Sequence, residues 1–140
     1  MSIIDILSEY PDFSESTAME TCDEDYRIYI LVNKQLNLSP GKVGAQVGHG
    51  IADIVENMIS DKRNRKIWKK YKACGSTKVV LKAKTTQELI FVLDQTKHLQ
   101  KTYVIDQGRT QCPPDSLTVV VYYPIPFQKV PSCIKNLSLY

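Results

Sequence analysis

Tyr26-Arg-Ile-Tyr-Ile-Leu-Val32 constrains the fold more than any other stretch of this 140-residue chain. An almost unbroken apolar run of strand length has no polar face to offer water, so it reads as a strand covered on both sides. A chain built around it needs layers above and below a sheet. Residues 33–40 form a loop ending in Pro40, a residue well suited to the first turn of a helix. From Pro40 or Gly41 to about Met58 or Ser60 the spacing predicts a helix. Val43, Val47, Ile51, Ile54, Val55 and Met58 share one broad face of it, which would pack on the sheet.

This helix opens with Gly41-Lys-Val-Gly-Ala-Gln-Val-Gly-His-Gly50. Glycine is a poor helix former, so Gly44 and Gly48 suggest close packing against another element. Lys42, Gln46, His49 and Asp53 follow at spacings of four, three and four, which brings them onto one narrow line. That line is either a solvated helix face or one wall of a cleft. The helix starts where a strand ends, and open α/β sheets bind ligands outside the carboxyl ends of their strands.

Residues 61–72 place seven bases among Ile67, Trp68 and Tyr71. As a helix this segment anchors its apolar residues and exposes Lys62, Arg63, Arg65, Lys66, Lys69 and Lys70, either as a solubilising face or as a phosphate-contact surface. Residues 73–77 are a turn and 78–82 a second strand. Thr85-Thr-Gln-Glu88 has the form of a capping box, starting a helix through about Leu99 with Leu89, Val92, Leu93 and Thr96 inward. Residues 102–105 are a third strand and 116 or 117 to 123 a fourth. Pro124-Ile-Pro-Phe127 bends the chain, residues 128–136 form a short helix, and 137–140 dock on the body. The expected fold is a three-layer α/β domain with a four-stranded mixed sheet between helices.

Charge divides the chain in two. Residues 1–26 carry eight acids and no base, whereas residues 27–140 hold all 18 bases and the other seven acids, a net of +11. The first segment is an acidic extension, either disordered or a short helix around its Ile3, Ile4, Ile6 and Leu7 cluster. The second is a basic domain that attracts polyanions, nucleic acid first among them. No apolar run reaches the ~18 residues of a membrane span, and the acidic start is unlike a secretory signal. Cys22, Cys74, Cys112 and Cys133 are widely spaced without a CxxC pair, which reads as reduced thiols in a cytosol-like compartment. With His49 and His98 the sole imidazoles, no structural zinc is expected.

If the first and third strands are parallel, Lys42 and Asp106 meet at one sheet edge. Thr110 lies in the following loop, and Thr118 joins them if the fourth strand returns antiparallel. A carboxylate to orient water, an ammonium to stabilise an oxyanion and hydroxyls to fix geometry suit ester hydrolysis beside an anion-favouring helix N-terminus. Equally, Asp106 is placed to cap a turn with Gly108. No nucleophile elbow, P-loop, dinucleotide fingerprint or EF-hand is present.

Gly41-Lys-Val-Gly-Ala-Gln-Val-Gly-His49, Lys78-Val-Val-Leu-Lys-Ala83, Asp106-Gln-Gly-Arg-Thr-Gln111 and Leu137-Ser-Leu-Tyr140 together resemble the archaeal/eukaryotic-type (type 2) peptidyl-tRNA hydrolases over residues 27–140. The resemblance implies a cytoplasmic enzyme, often a homodimer and without organic cofactor. It cleaves the ester between a peptide and the terminal ribose of tRNA, and so recycles tRNA. It implies Lys42, Lys78, Asp106, Thr110 and Thr118 as active-site positions, with His49 as a candidate base and Gln46 and Arg109 around them. The chain departs from the family pattern at Asn33 and Gln35, where arginine and aspartate are usual. Two other readings compete: an inactive relative that binds RNA or a protein, and a hydrolase for another acylated tRNA.

Overall fold

The computed structural model describes residue 2 and residues 21–108 and 111–140. The acidic extension as far as residue 20, with its choice between disorder and a short helix, lies outside the described residues, and so do Arg109 and Thr110. The strands are β1 (Tyr26–Asn33), β2 (Lys78–Ala83), β3 (Lys101–Asp106), β4 (Ser116–Tyr122), β5 (Ile125–Pro126) and β6 (Ser138–Leu139). The α-helices are α1 (Pro40–Ser60), α2 (Lys62–Ala73), α3 (Thr86–Gln95) and α4 (Ser132–Lys135), joined by single 3-10 turns at Lys34–Leu36 and Phe127–Lys129.

The sheet runs in the order β3-β4-β1-β2-β6, with β5 paired to the first residues of β1. β1 and β2 are parallel, whereas β4 is antiparallel to both β1 and β3. β3 therefore runs parallel to β1, and both end at the same edge. The sheet is mixed, as expected, but has six strands where the sequence suggested four. The two extra strands are only two residues long. At that length hydrophobic alternation has no room to appear, and Pro126 argues against a strand in any local reading. β6 exists because the chain end returns to β2, pairing Leu139 with Leu81.

Both faces of the sheet's centre are covered. On one side Ile28, Ile30 and Val32 of β1 pack with Val43, Ile54 and Met58 of α1 and Tyr71 of α2. On the other, Tyr29 and Leu31 pack with Leu89 and Val92 of α3 and Ile134 of α4. The unbroken apolar character of β1 follows from serving two cores at once. Thr85 Oγ accepts from the Glu88 amide at 3.0 Å, so the predicted hydroxyl cap forms, while the Glu88 carboxylate reaches one residue past the N-cap and accepts from the Lys84 amide at 2.7 Å. α3 stops at Gln95 rather than near Leu99. There Thr96 turns inward, donating to Val92 O at 2.8 Å and meeting the Tyr122 hydroxyl at 2.7 Å.

Two further expectations are corrected. The cysteines are not all reduced thiols: Cys22 is disulfide-bonded to Cys74, with Cα atoms 4.9 Å apart, while Cys112 and Cys133 are free. The 52-residue separation gives no signal in the sequence. Parallel pairing of Ile28 with Lys78 brings the segment before β1 alongside the segment before β2. Nor do Gly44 and Gly48 serve close packing among the described residues, where a Cβ at either would meet nothing within 4 Å. That task belongs to Gly50, where a Cβ would lie 2.5 Å from Val121 Cγ2 and 3.1 Å from Val104 Cγ2.

Candidate active site

The start of α1 lies beside the end of β3. Ser39 is the N-cap, its hydroxyl accepting from the Lys42 amide at 3.3 Å, and Pro40 occupies the first turn, where its missing N–H costs nothing. One turn in, the Lys42 ammonium stands 2.5 Å from Asp106 Oδ2. The side chains are 19% and 4% exposed, so a nearly buried carboxylate faces a lysine that still reaches solvent. Gln46, one turn further, donates to the same oxygen at 3.3 Å.

The other carboxylate oxygen is also engaged. Gly108 donates its N–H to Asp106 Oδ1 at 2.6 Å, and Asp115 N–H returns to Asp106 O at 2.8 Å. Gly108 has φ +76, and a Cβ there would fall 2.6 Å from Pro114 N, so this tight turn requires glycine. The turn-capping and ion-pairing roles considered for Asp106 are both present, one on each oxygen.

Lys42, Gln46, His49, Ile105, Asp106 and Gln107 line an open cleft of about 220 Å³. The His49 side chain is 66% exposed, with Nε2 3.8 Å from Asp53 Oδ2. Three of the four residues of the polar stripe thus border the cleft, and Gln46 is buried against the sheet instead of lying on an outer face. Thr118 is fully buried and donates to Val104 O at 2.7 Å, next to the irregular register between Val104 and Ile105. It shapes the end of β3 rather than facing the cleft.

Lys78 is elsewhere. It opens β2, paired with Ile28, whereas the site lies at the carboxyl edge where Asn33 pairs with Ala83. Five strand residues separate those edges, roughly 17 Å. Lys78 Nζ donates to Ser76 O at 3.0 Å and sits over the Tyr71 ring. Lys78, which the resemblance implies as an active-site position, thus opens its strand at the edge opposite the one that carries Lys42 and Asp106. Arg109 and Thr110 fall outside the described residues.

The bases of α2 occupy a separate surface, where Lys62, Arg65, Lys66 and Lys69 border a shallow depression of about 330 Å³. α2 begins where α1 ends, and 19 residues of helix place that point roughly 28 Å from Lys42.

Two contributors escaped the sequence reading. Ser39 was signalled by its place before Pro40, an N-cap position. Gln111, whose amide binds Ser39, closes the Asp106–Gln111 motif but carried no signal of that contact. The departures at Asn33 and Gln35 are accommodated: Asn33 donates to Thr86 Oγ and Leu117 O, each at 3.0 Å, and Gln35 accepts from the Thr86 amide at 2.7 Å. Among the described residues, no group of three or more His, Cys, Asp or Glu side chains is placed to hold a metal ion, and no helix is long and apolar enough to cross a membrane.

Residues 26–140 match the family model described as Peptidyl-tRNA hydrolase PTH2. The chain is 33% identical over 118 residues to human "Peptidyl-tRNA hydrolase 2, mitochondrial", covering 83% of this chain and 65% of that protein. It is 30% identical over 132 residues to the bovine protein of the same name, covering 93% of this chain and 73% of the relative. A "Peptidyl-tRNA hydrolase" of Pyrobaculum aerophilum is 30% identical over 118 residues, 98% of its own length. The chain thus spans about two thirds of the human relative and nearly all of the archaeal one.

Proposed function

The chain belongs to the peptidyl-tRNA hydrolase PTH2 family, and on that premise we propose that it hydrolyses peptidyl-tRNA at the ester joining peptide to the terminal ribose. The observation that carries this reading is the nearly buried Asp106 carboxylate, held by Lys42, Gln46 and Gly108 at the mouth of a cleft. Water attacks the ester carbonyl, the ribose oxygen leaves with a proton, and free peptide and free tRNA result. Asp106, with Thr110, orients that water. The Lys42 ammonium, fixed by its partner yet partly exposed, stabilises the oxyanion that develops. Gln46 holds the carboxylate, Thr118 holds the strand that ends in it, and His49 borders the cleft as a supporting group. Lys78 has no part in this chemistry.

The α2 bases and Arg109 contact phosphates of the tRNA. The start of α2, roughly 28 Å from Lys42 along α1, suits the tRNA body rather than its reacting end. A homodimer belongs to this reading on the family resemblance. Exposed Ile90, Phe91, Tyr103 and Ile105 offer apolar surface for it, and sedimentation tests it. So does a cytoplasmic location, against which stand the mitochondrial names of the mammalian relatives and a disulfide that reducing compartments disfavour. Fractionation of the cell decides between the compartments.

The functional test is peptide release from peptidyl-tRNA by the wild type, Asp106→Asn and Lys42→Ala. Each variant loses about 10²–10⁴-fold in kcat. Full activity in both would overturn the assigned roles, and RNA binding without turnover by the wild type would favour an inactive relative. Faster release from free-amine aminoacyl-tRNA than from its N-blocked form would redirect the reading to another acylated tRNA.

A further inference from the structure

Gln111 bonds to Ser39 twice. Its Oε1 accepts from the Ser39 backbone N–H and its Nε2 donates to the Ser39 hydroxyl, both at 2.8 Å. The match is chemical as well as geometric. Ser39 sits outside the helix it caps, so its N–H has no intrahelical partner. A primary amide presents one acceptor and one donor side by side. The same Ser39 hydroxyl accepts from the Lys42 amide. A closed circuit results: Asp106 binds the Lys42 side chain, the Lys42 backbone binds Ser39, Ser39 binds Gln111, and the chain leads back from Gln111 to Asp106.

We propose that Gln111 is a positioning residue for the hydrolysis, locking the segment after Asp106 to the N-cap that launches Lys42. The inference rests on the hydrolase reading above. Both partners are exposed, and hydrogen bonds at an exposed site add little to global stability. What the clamp fixes is the register between the two elements that carry the ion pair. Small displacements of such groups cost rate out of proportion to stability.

The test uses the full chain as wild type, Gln111→Ala and Gln111→Glu, reading kcat, KM, the denaturation midpoint and hydrogen exchange of the Ser39 amide. Gln111→Ala lowers kcat about five- to thirtyfold, leaves KM within about twofold and the midpoint nearly unmoved, and accelerates Ser39 amide exchange. Gln111→Glu restores most of kcat and of the protection, because a carboxylate accepts from both the Ser39 N–H and its hydroxyl. Unchanged kcat alongside faster exchange overturns the proposal. So does unchanged exchange, or a kcat loss matched by a falling midpoint. A wild type that releases no peptide refutes the hydrolase reading and the positioning role with it, while Ser39 exchange still reports whether the clamp exists.

Discussion

Replacing Asp106 by asparagine removes a charge and almost no volume, so its consequences report the ion pair. Oδ2 receives Lys42 at 2.5 Å and Gln46 at 3.3 Å, and Oδ1 receives Gly108 at 2.6 Å. An asparagine that keeps its carbonyl on Gly108 turns an NH2 toward two donors. Gln46 can rotate its amide to offer an oxygen, but the Lys42 ammonium has nothing to offer. Breaking a fully buried pair costs about 3–5 kcal/mol. Lys42 is one-fifth exposed and partly rehydrates, which brings the expected loss to about 2–3 kcal/mol. Lys42→Met is costlier, about 3–5 kcal/mol, because it leaves the charge of a carboxylate only 4% exposed without its cation, with the Gln46 and Gly108 donors still in place. The double variant removes both charges, so its loss falls short of the sum by about 1–3 kcal/mol. Urea denaturation at neutral pH measures all four proteins, with midpoints moving at constant slope. Losses that add to within about 0.5 kcal/mol would refute the pairing.

Gly50→Ala gains about 1 kcal/mol of helix propensity but forces a methyl into Val121 and Val104, at about 1–3 kcal/mol. Its denaturation midpoint falls, whereas that of Gly44→Ala, facing open space, rises. Burial pushes the Tyr122 phenol from 10.0 up to about 12, against a smaller opposing effect of its Thr96 hydrogen bond. Between those values the folded protein holds a proton that the unfolded chain has released. Stability from this group is complete below pH 10 and declines as pH rises toward 12, visible as late phenolate absorbance lost in Tyr122→Phe. Replacing Lys66 and Lys69 together by alanine weakens tRNA binding evenly across sequences and reduces the salt slope by about two. An unchanged slope would remove α2 from the tRNA interface.

Local chemistry was the legible part of this protein. The apolar run of β1, the helical spacing of α1 and the hydroxyl-to-glutamate capping of α3 each act within a few residues, and each appears in the structure. Lys42 and Asp106 come together at one edge if the first and third strands are parallel, a condition that the sheet meets. The same rule puts Lys78, an active-site position only by resemblance, at the opposite edge. Strands β5 and β6 are two residues long and exist only because their partners do.

The sequence by itself determined the principal elements and their two-sided packing, because periodicity is a property of the chain, and it put Lys42 and Asp106 at one sheet edge on the condition that β1 and β3 are parallel. Only the tertiary structure decided that Gly50 rather than Gly44 or Gly48 meets the sheet, that Cys22 joins Cys74, and that Gln111 reaches back to Ser39. Each of these depends on the phase of a helix or the approach of distant segments. Distances of that kind are set by how whole elements pack, and no local run of residues encodes them.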